Sequence, residues 1–184
     1  MKKIAIAAAL LALVWAQDSR SVKFDDVTIT GYQTIRSKLG KERVTLDLTG
    51  TIVLDAPSQG LNFAAPKITV TVRAPEDRNQ NAIVETAEAS GNIQVVYKQK
   101  DPVRTVNGRA ARATYSEQTK KIILTGNVYV RSEDENYIIV QESADQATID
   151  LGVDPIEVEI QGDPSKNKTT VTLKKPPAGA VKSK

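Results

Sequence analysis

The sequence predicts an all-β protein, and the first sign of this is a strict alternation of apolar and polar residues. In Lys121–Val130 the apolar residues of one parity are Ile122, Leu124, Val128 and Val130. Successive side chains of a strand point to opposite faces, so this pattern indicates a strand with one buried face. Gly126 belongs to the apolar parity, and we expect a bend, a bulge or a close backbone approach there.

Glycine-centred units of the same kind recur along the chain, which is the second sign. The central glycines are separated by 41, 35 and 36 residues, and they are Gly50, Gly91, Gly126 and Gly162. In each unit the neighbouring apolar residues share the parity of the glycine. A nearly constant spacing of this length is typical of a repeat protein.

The third sign is an alanine motif that follows nearly the same period. The pattern Ala110-x-x-Ala113-x-Tyr115 returns 34 residues later as Ala144-x-x-Ala147-x-Ile149. Two independent markers with nearly one period predict that the chain is a β-repeat.

Residues 1–16 are predicted to be a secretory signal peptide that precedes this fold. Lys2 and Lys3 are followed by the apolar run Ile4–Trp15, and Ala16 completes a small-residue cleavage site. The apolar run is twelve residues long, whereas a membrane span needs about 20. We therefore expect cleavage after Ala16 and a mature protein in the periplasm.

The remaining elements follow in order from alternation and turn residues. Strands are predicted at Val22–Thr30, Val44–Leu54, Lys67–Arg73, Ala82–Gln99, Arg109–Tyr115, Lys121–Val130, Tyr137–Val140, Ile156–Gly162 and Thr169–Leu173. Turns are predicted at Asp55–Gly60, Asn107-Gly108 and Ser116–Lys120. The domain therefore spans residues 22–173, and the basic, proline-containing tail 174–184 is expected to be disordered.

The composition argues against several classes of function. The chain contains no histidine and no cysteine, so the usual general base, the thiol nucleophile and the commonest metal ligand are missing. Without residues 1–16, 23 basic residues face 22 acidic ones, and this balance does not favour nucleic acid. The acidic run Glu133–Glu135 lacks the spacing of a calcium loop. We predict no enzyme activity, no metal and no cofactor.

The apolar face itself is then the main candidate for function. Strands that bend at their glycines can close face to face into a sandwich, or they can stay open as a trough. A closed sandwich buries the face as an ordinary core, whereas an open trough can accept acyl chains. The alternation of residues does not distinguish these two arrangements.

These motifs resemble those of a known family. Leu124-Thr125-Gly126-Asn127-Val128-Tyr129-Val130, together with the two alanine motifs, is similar to the OstA-like repeat of the periplasmic lipopolysaccharide-transport proteins LptA/OstA and LptC. The match is clearest over residues 82–162. The first unit departs from it, with Thr51 where the other units have Asn or Asp.

The resemblance implies a twisted, open β-jellyroll whose interior carries the acyl chains of lipopolysaccharide or a related envelope lipid. It also implies partners of the same fold in the inner- and outer-membrane transport machinery. The predicted groove-lining residues are Ile52, Leu54, Phe63, Ile68, Val70, Ile93, Val95, Ile122, Leu124, Val128, Val130, Ile149 and Val158.

Two further expectations follow from the repeat. A stack of strands that does not close on itself has two exposed end strands, expected at Val22–Thr30 and Thr169–Leu173, and these can pair head to tail with other copies. The alternative function is a structural or adhesive β-repeat of the cell envelope that carries no lipid.

Overall fold

The computed structural model of the protein describes residues 21–24, 27–73, 83–153 and 156–174. The predicted signal peptide and residues 175–184 of the predicted tail lie outside these ranges. Within them, the regular structure is β apart from one 3₁₀ turn at Pro57–Gln59, which confirms the all-β prediction. In the described part of the chain, no helix has the length and apolar character needed to cross a membrane.

The described residues form ten strands in one antiparallel sheet. The strands are β1 (Ser21–Phe24), β2 (Val27–Leu39), β3 (Arg43–Ala56), β4 (Leu61–Arg73), β5 (Ile83–Lys100), β6 (Val103–Ser116), β7 (Lys121–Asp134), β8 (Tyr137–Asp150), β9 (Glu157–Gln161) and β10 (Lys168–Leu173). Neighbours in sequence are neighbours in the sheet from β1 to β8. Both β9 and β10 pair with β8, so they share its outer edge.

Several predicted boundaries change. The predicted strand Val22–Thr30 is two strands, because Ser21–Phe24 pairs back onto Val27–Thr30. The prediction of a turn at Asn107-Gly108 is wrong, since both residues lie inside β6 and pair with Arg131 and Val130. Gly162 lies just after β9, so the fourth predicted unit is shorter than the others.

A line of β-bulges crosses the middle of the sheet, and we call it the crease. It contains Gly50 in β3, Gly91 in β5 and Gly126 in β7, which have φ values of 144°, 105° and 80°. The register shifts beside each of them. Pro66 and Ala111 of the intervening strands lie opposite these bulges. A Cβ on Gly91 would lie 2.2 Å from Cγ of Pro66, so the crease requires glycine there.

The crease explains the spaced glycines Gly50, Gly91 and Gly126 and the alanine motifs. In β7, Leu124 and Val128 are buried while Gly126 is exposed, so the expectation that Gly126 shares the apolar face is corrected: it faces outward at the bulge. In β6, Ala110 and Ala113 are buried and the two residues between them face outward. Along β6 the buried side chains therefore change from even to odd positions between the two alanines of A-x-x-A. A strand without a bulged glycine crosses the crease in this way.

The strands fold over at the crease, so that two halves of the sheet face each other. Ile156 follows Asp150, the end of β8, by only six residues, a reach of about 20 Å. Its carbonyl nevertheless accepts a hydrogen bond from Nη1 of Arg104 at 3.4 Å. Arg104 pairs with Asp134, next to the opposite end of β8. A straight strand of this length would separate these ends by about 45 Å, so the strands must be curved.

The two halves enclose a single apolar core. Among its largest fully buried side chains are Leu48, Ile68 and Leu124 from one half and Ile52, Ile93 and Val128 from the other. All of these belong to one cluster of packed side chains. We call the face that carries them the inner face.

Candidate functional site

The predicted groove residues all lie on the inner face. Eleven of the thirteen are buried, namely Ile52, Phe63, Ile68, Val70, Ile93, Val95, Ile122, Leu124, Val128, Val130 and Ile149. Leu54 and Val158 are partly buried and pack against the same cluster. The fold therefore brings the whole predicted set together, from β3 to β9.

In this conformation the inner face is covered by its own side chains. Ile52, Leu124 and Ile149 each have 0% relative exposure, which means that the two halves are in contact rather than apart. Burying such a side chain contributes about 1.5–3 kcal/mol. A chain-like ligand would reach these residues only if the halves separated and its own methylene groups replaced the contacts that are lost.

One corner of the inner face is polar, and the sequence analysis did not include it. The polar corner consists of Arg104, Ser132, Asp134, Gln141 and Thr169. These residues have the parity of buried neighbours such as Val106 and Val130. Extending the alternation of β6 and β7 to their true ends would have placed Arg104 and Asp134 on the inner face.

The N–H donors of Arg104 are only partly satisfied in this corner. Its Nη2 lies 3.9 Å from Oδ2 of Asp134, and Nη1 makes the long hydrogen bond to Ile156. Its Nε is buried and has no hydrogen-bond acceptor among the described residues. A buried donor without an acceptor is costly, so this guanidinium is suited to an additional acceptor.

Asp134 is held as a carboxylate by the turn that it caps. Its Oδ1 accepts hydrogen bonds from the backbone N–H groups of Asn136 at 2.8 Å and Tyr137 at 3.0 Å. Burial by itself would raise the pKa of Asp134, but these hydrogen bonds and the nearby Arg104 lower the pKa below its usual range. This carboxylate therefore interacts mainly with the backbone N–H groups of the β7–β8 turn.

A cleft of about 380 Å³ lies next to the polar corner. Its lining residues come from the β3–β4 connection, the end of β5 and the segment before β9: Pro57, Ser58, Gly60, Tyr97, Lys98, Gln99, Lys100, Asp101, Leu151, Val153 and Ile156. Tyr97 and Ile156 are buried members of the core cluster, so the cleft leads to the inner face. Lys98 and Lys100 are exposed.

The other ends of the strands carry an ion-pair network instead of a cleft. Glu85 contacts Nε of Arg43 at 2.5 Å and Nε of Arg73 at 3.3 Å. The hydrogen bond from Arg43 lowers the pKa of Glu85, against an opposing effect of burial. Nearby, Glu117 accepts hydrogen bonds from Tyr115 and Lys120. Burial, reinforced by this bond, raises the pKa of Tyr115.

Within the acidic run Glu133–Glu135, Glu133 is neutralised by nearby cations. Glu133 contacts Arg131 at 2.8 Å and Lys174 at 2.9 Å. Over the described ranges, no three acidic side chains converge in a way that could hold a metal ion.

Comparison with known proteins identifies the family. Residues 14–150 match the model of a family described as "LptA/(LptD N-terminal domain) LPS transport protein". The chain belongs to this family. Its members are described as lipopolysaccharide-transport proteins, which agrees with the resemblance seen in the repeat motifs. No curated protein matches the sequence significantly.

The chain is also similar to a solved structure. It is LptH from Pseudomonas aeruginosa, described as the LptA-homologous periplasmic component of the conserved lipopolysaccharide transport device. The sequences are 9% identical, the match covers 79% of this chain and 94% of that chain, and the TM-score is 0.49.

Proposed function

We propose that the protein is a periplasmic carrier that binds the acyl chains of lipopolysaccharide, or of a related envelope lipid, between its two halves. In this role it helps to pass the lipid from the inner to the outer membrane. The observation that supports this most directly is the apolar inner face, which extends from β3 to β9 in a member of the lipopolysaccharide-transport family.

The proposed binding step is an exchange of apolar contacts. Hydrogen bonds hold neighbouring strands together, whereas the facing halves are held mainly by side-chain packing. When the halves part opposite the crease, the aliphatic side chains lose contacts with one another and gain contacts with acyl chains. Each buried methylene group contributes about 0.8 kcal/mol, so an acyl chain offsets much of the cost of opening.

A charge on the inner face tests this proposal. A photo-crosslinking residue at position 93 should label bound lipopolysaccharide, and Val128→Glu should abolish the labelling, because an unpaired carboxylate among acyl chains is costly. Ile123→Glu is the matched control, since Ile123 is on the outer face of the same strand and its replacement should leave the labelling unchanged.

The folded state of each variant is checked by circular dichroism. Leu54→Glu provides a second groove variant at a partly buried position, in case Val128→Glu does not fold. If every groove variant that folds is labelled as strongly as the parent protein, the inner face is an ordinary core. The structural β-repeat then becomes the better hypothesis.

The proposal includes partners of the same fold, joined through the sheet edges. The edge strands are β1 on one side and β9 with β10 on the other. All six residues of β10 are exposed, and Val171 and Leu173 have the parity of Ile139 and Tyr137 on the inner face of β8. A second copy, or a transport component of the same fold, that adds its edge strand to β10 would continue the apolar face from one molecule to the next.

A further inference from the structure

We infer that the cleft beside the polar corner receives the phosphorylated head of the carried lipid, with its acyl chains extending from there onto the inner face. This inference rests on the proposed carrier function and adds a site and an orientation to it. Arg104, on the inner face, is assigned to direct binding of the phosphate. Lys98 and Lys100 have the parity of the outer face and are assigned to attracting the phosphate at the rim.

The position of the cleft supports this assignment. Its floor contains Tyr97 and Ile156, which belong to the apolar core, while its rim contains the exposed residues Lys98 and Lys100. An amphiphile placed here therefore has a charged surface at one end and an apolar interior at the other. A volume of about 380 Å³ is within the range of small-ligand pockets and suits a phosphorylated head rather than a whole lipid.

The charges of the cleft favour an anion. Neither Lys98 nor Lys100 forms a salt bridge with a described residue. Asp101 is the acidic residue among those that line the cleft, and it is exposed at the turn. Two lysines against one aspartate leave a net positive charge at the rim, which attracts a phosphate.

Arg104 lies directly beside the cleft and supplies directional donors. It pairs in register with Gln99 and donates to the carbonyl of Ile156, both of which line the cleft. Its two polar contacts are long, at 3.4 and 3.9 Å, and its buried Nε has no acceptor among the described residues. A guanidinium binds phosphate oxygens through two parallel N–H donors.

These features couple the head group to the opening of the inner face. The Arg104–Ile156 hydrogen bond joins the two halves opposite the crease. A phosphate that accepts from the parallel donors Nη1 and Nη2 of Arg104 replaces this bond and the long contact to Asp134, and it frees Ile156 to move. Binding of the head would thus favour the separation of the halves that the acyl chains need.

Two probes with the same acyl chain test the inference by calorimetry at low salt, with the full mature protein below the micellar concentration. Oleoyl lysophosphatidic acid carries a phosphate, and monoolein carries none. The triple variant Lys98→Gln, Lys100→Gln, Arg104→Gln should bind the phosphorylated probe about ten-fold more weakly, because it lacks charge-assisted hydrogen bonds. Its affinity for monoolein should not fall, because the loss of the Arg104–Ile156 bond does not oppose opening.

A matched control removes the same number of charges from the outer surface. Lys67, Arg109 and Arg112 are exposed near the crease, and their replacement by Gln should leave the affinity for both probes unchanged. If the Arg104 substitution prevents folding, the double variant Lys98→Gln, Lys100→Gln should still weaken binding of the phosphorylated probe about three-fold, because both lysines are exposed.

The outcomes separate the inference from the proposed function. Equal weakening by the site variant and the control variant, or no weakening by the site variant, overturns the head-group site while the carrier function stands. If the unmodified protein binds neither probe, the carrier function fails and the head-group site fails with it.

Discussion

The two ends of the folded strands are built in opposite ways. At the ion-paired end, around Arg43, Arg73 and Glu85, opposite charges meet at 2.5 and 3.3 Å, and the adjacent inner face is aliphatic. At the cleft end, around Tyr97–Arg104 and Asp134, the inner face is partly polar and leads to a cleft.

This difference indicates where the two halves can separate first. The pairs of Arg43 and Arg73 with Glu85 join neighbouring strands of one half, so they do not hold the two halves together. Contact with water would not stabilise the aliphatic side chains near Ile122 or the ion pairs of Glu85. Contact with water would stabilise Arg104 and Asp134, because their mutual contact is long and one donor of Arg104 has no described acceptor. We therefore expect opening to begin at the cleft end.

The largest expected effect is on stability and comes from truncating a buried apolar residue at one end and an exposed one at the other. Ile122, near the ion-paired end, is 3% exposed, whereas Leu173, at the cleft end, is 79% exposed. Ile122→Ala should lower the free energy of unfolding by about 2–5 kcal/mol. Leu173→Ala should change it by less than about 0.5 kcal/mol. Urea denaturation followed by circular dichroism measures both, and similar losses would contradict the difference in burial between the two residues.

An intermediate effect is expected on self-association. Because β10 is an exposed edge strand at the cleft end, the full-length mature protein should form concentration-dependent oligomers, and deletion of Thr169–Lys184 should abolish them. Light scattering over a range of concentrations measures this. Ile83→Ser, an exposed position at the ion-paired end, is a control that should leave association intact. A protein that is strictly monomeric with and without the deleted segment would refute the proposed joint.

The smallest expected effect is a pH dependence that arises at the ion-paired end. The pKa of Glu85 in the folded protein is lower than its ordinary value of 4.5. Its ion pairs therefore contribute stability above about pH 4.5, and this contribution is lost as the pH falls through the lower folded-state pKa. The melting temperature of Glu85→Gln should be slightly lower at pH 7 and converge with that of the parent protein near pH 3. A difference that stays constant across this range would show that the charge of Glu85 is not responsible.

Much of the fold could be predicted because alternation is a local signal. The inner-face parity of Ile122, Leu124, Val128 and Val130 is correct, and so is the expectation that Gly126 marks a bend or bulge. The outward direction of Gly126 could not be obtained from the alternation of residues. The bulge adds one residue to β7, so Leu124 and Val128 both lie on the inner face although Gly126 between them faces outward. The turn wrongly predicted at Asn107-Gly108 shows that a two-residue turn motif can be overridden when both neighbouring strands pair across it.

The sequence analysis identified the apolar inner face but missed the polar corner. Apolar residues of one parity identify the inner face wherever the strand is recognised. Arg104 and Asp134 lie at strand ends, where charged residues usually indicate the start of a turn, so the predicted strands stopped short of them. Their proximity is also a consequence of pairing between β6 and β7, which depends on the register of two strands rather than on the pattern within one.

The crease makes the molecule modular along the sheet. In the hairpins β5–β6 and β7–β8, β5 and β7 cross the crease with a bulged glycine, and β6 and β8 cross it with an alanine pair. Neither kind of crossing alters the cross-section enclosed by the two halves. Duplicating such a hairpin would lengthen the interior by about 10 Å, the width of two strands, without widening it. The length of the apolar interior is therefore set by the number of hairpins, and it can change through gain or loss of whole units of sequence.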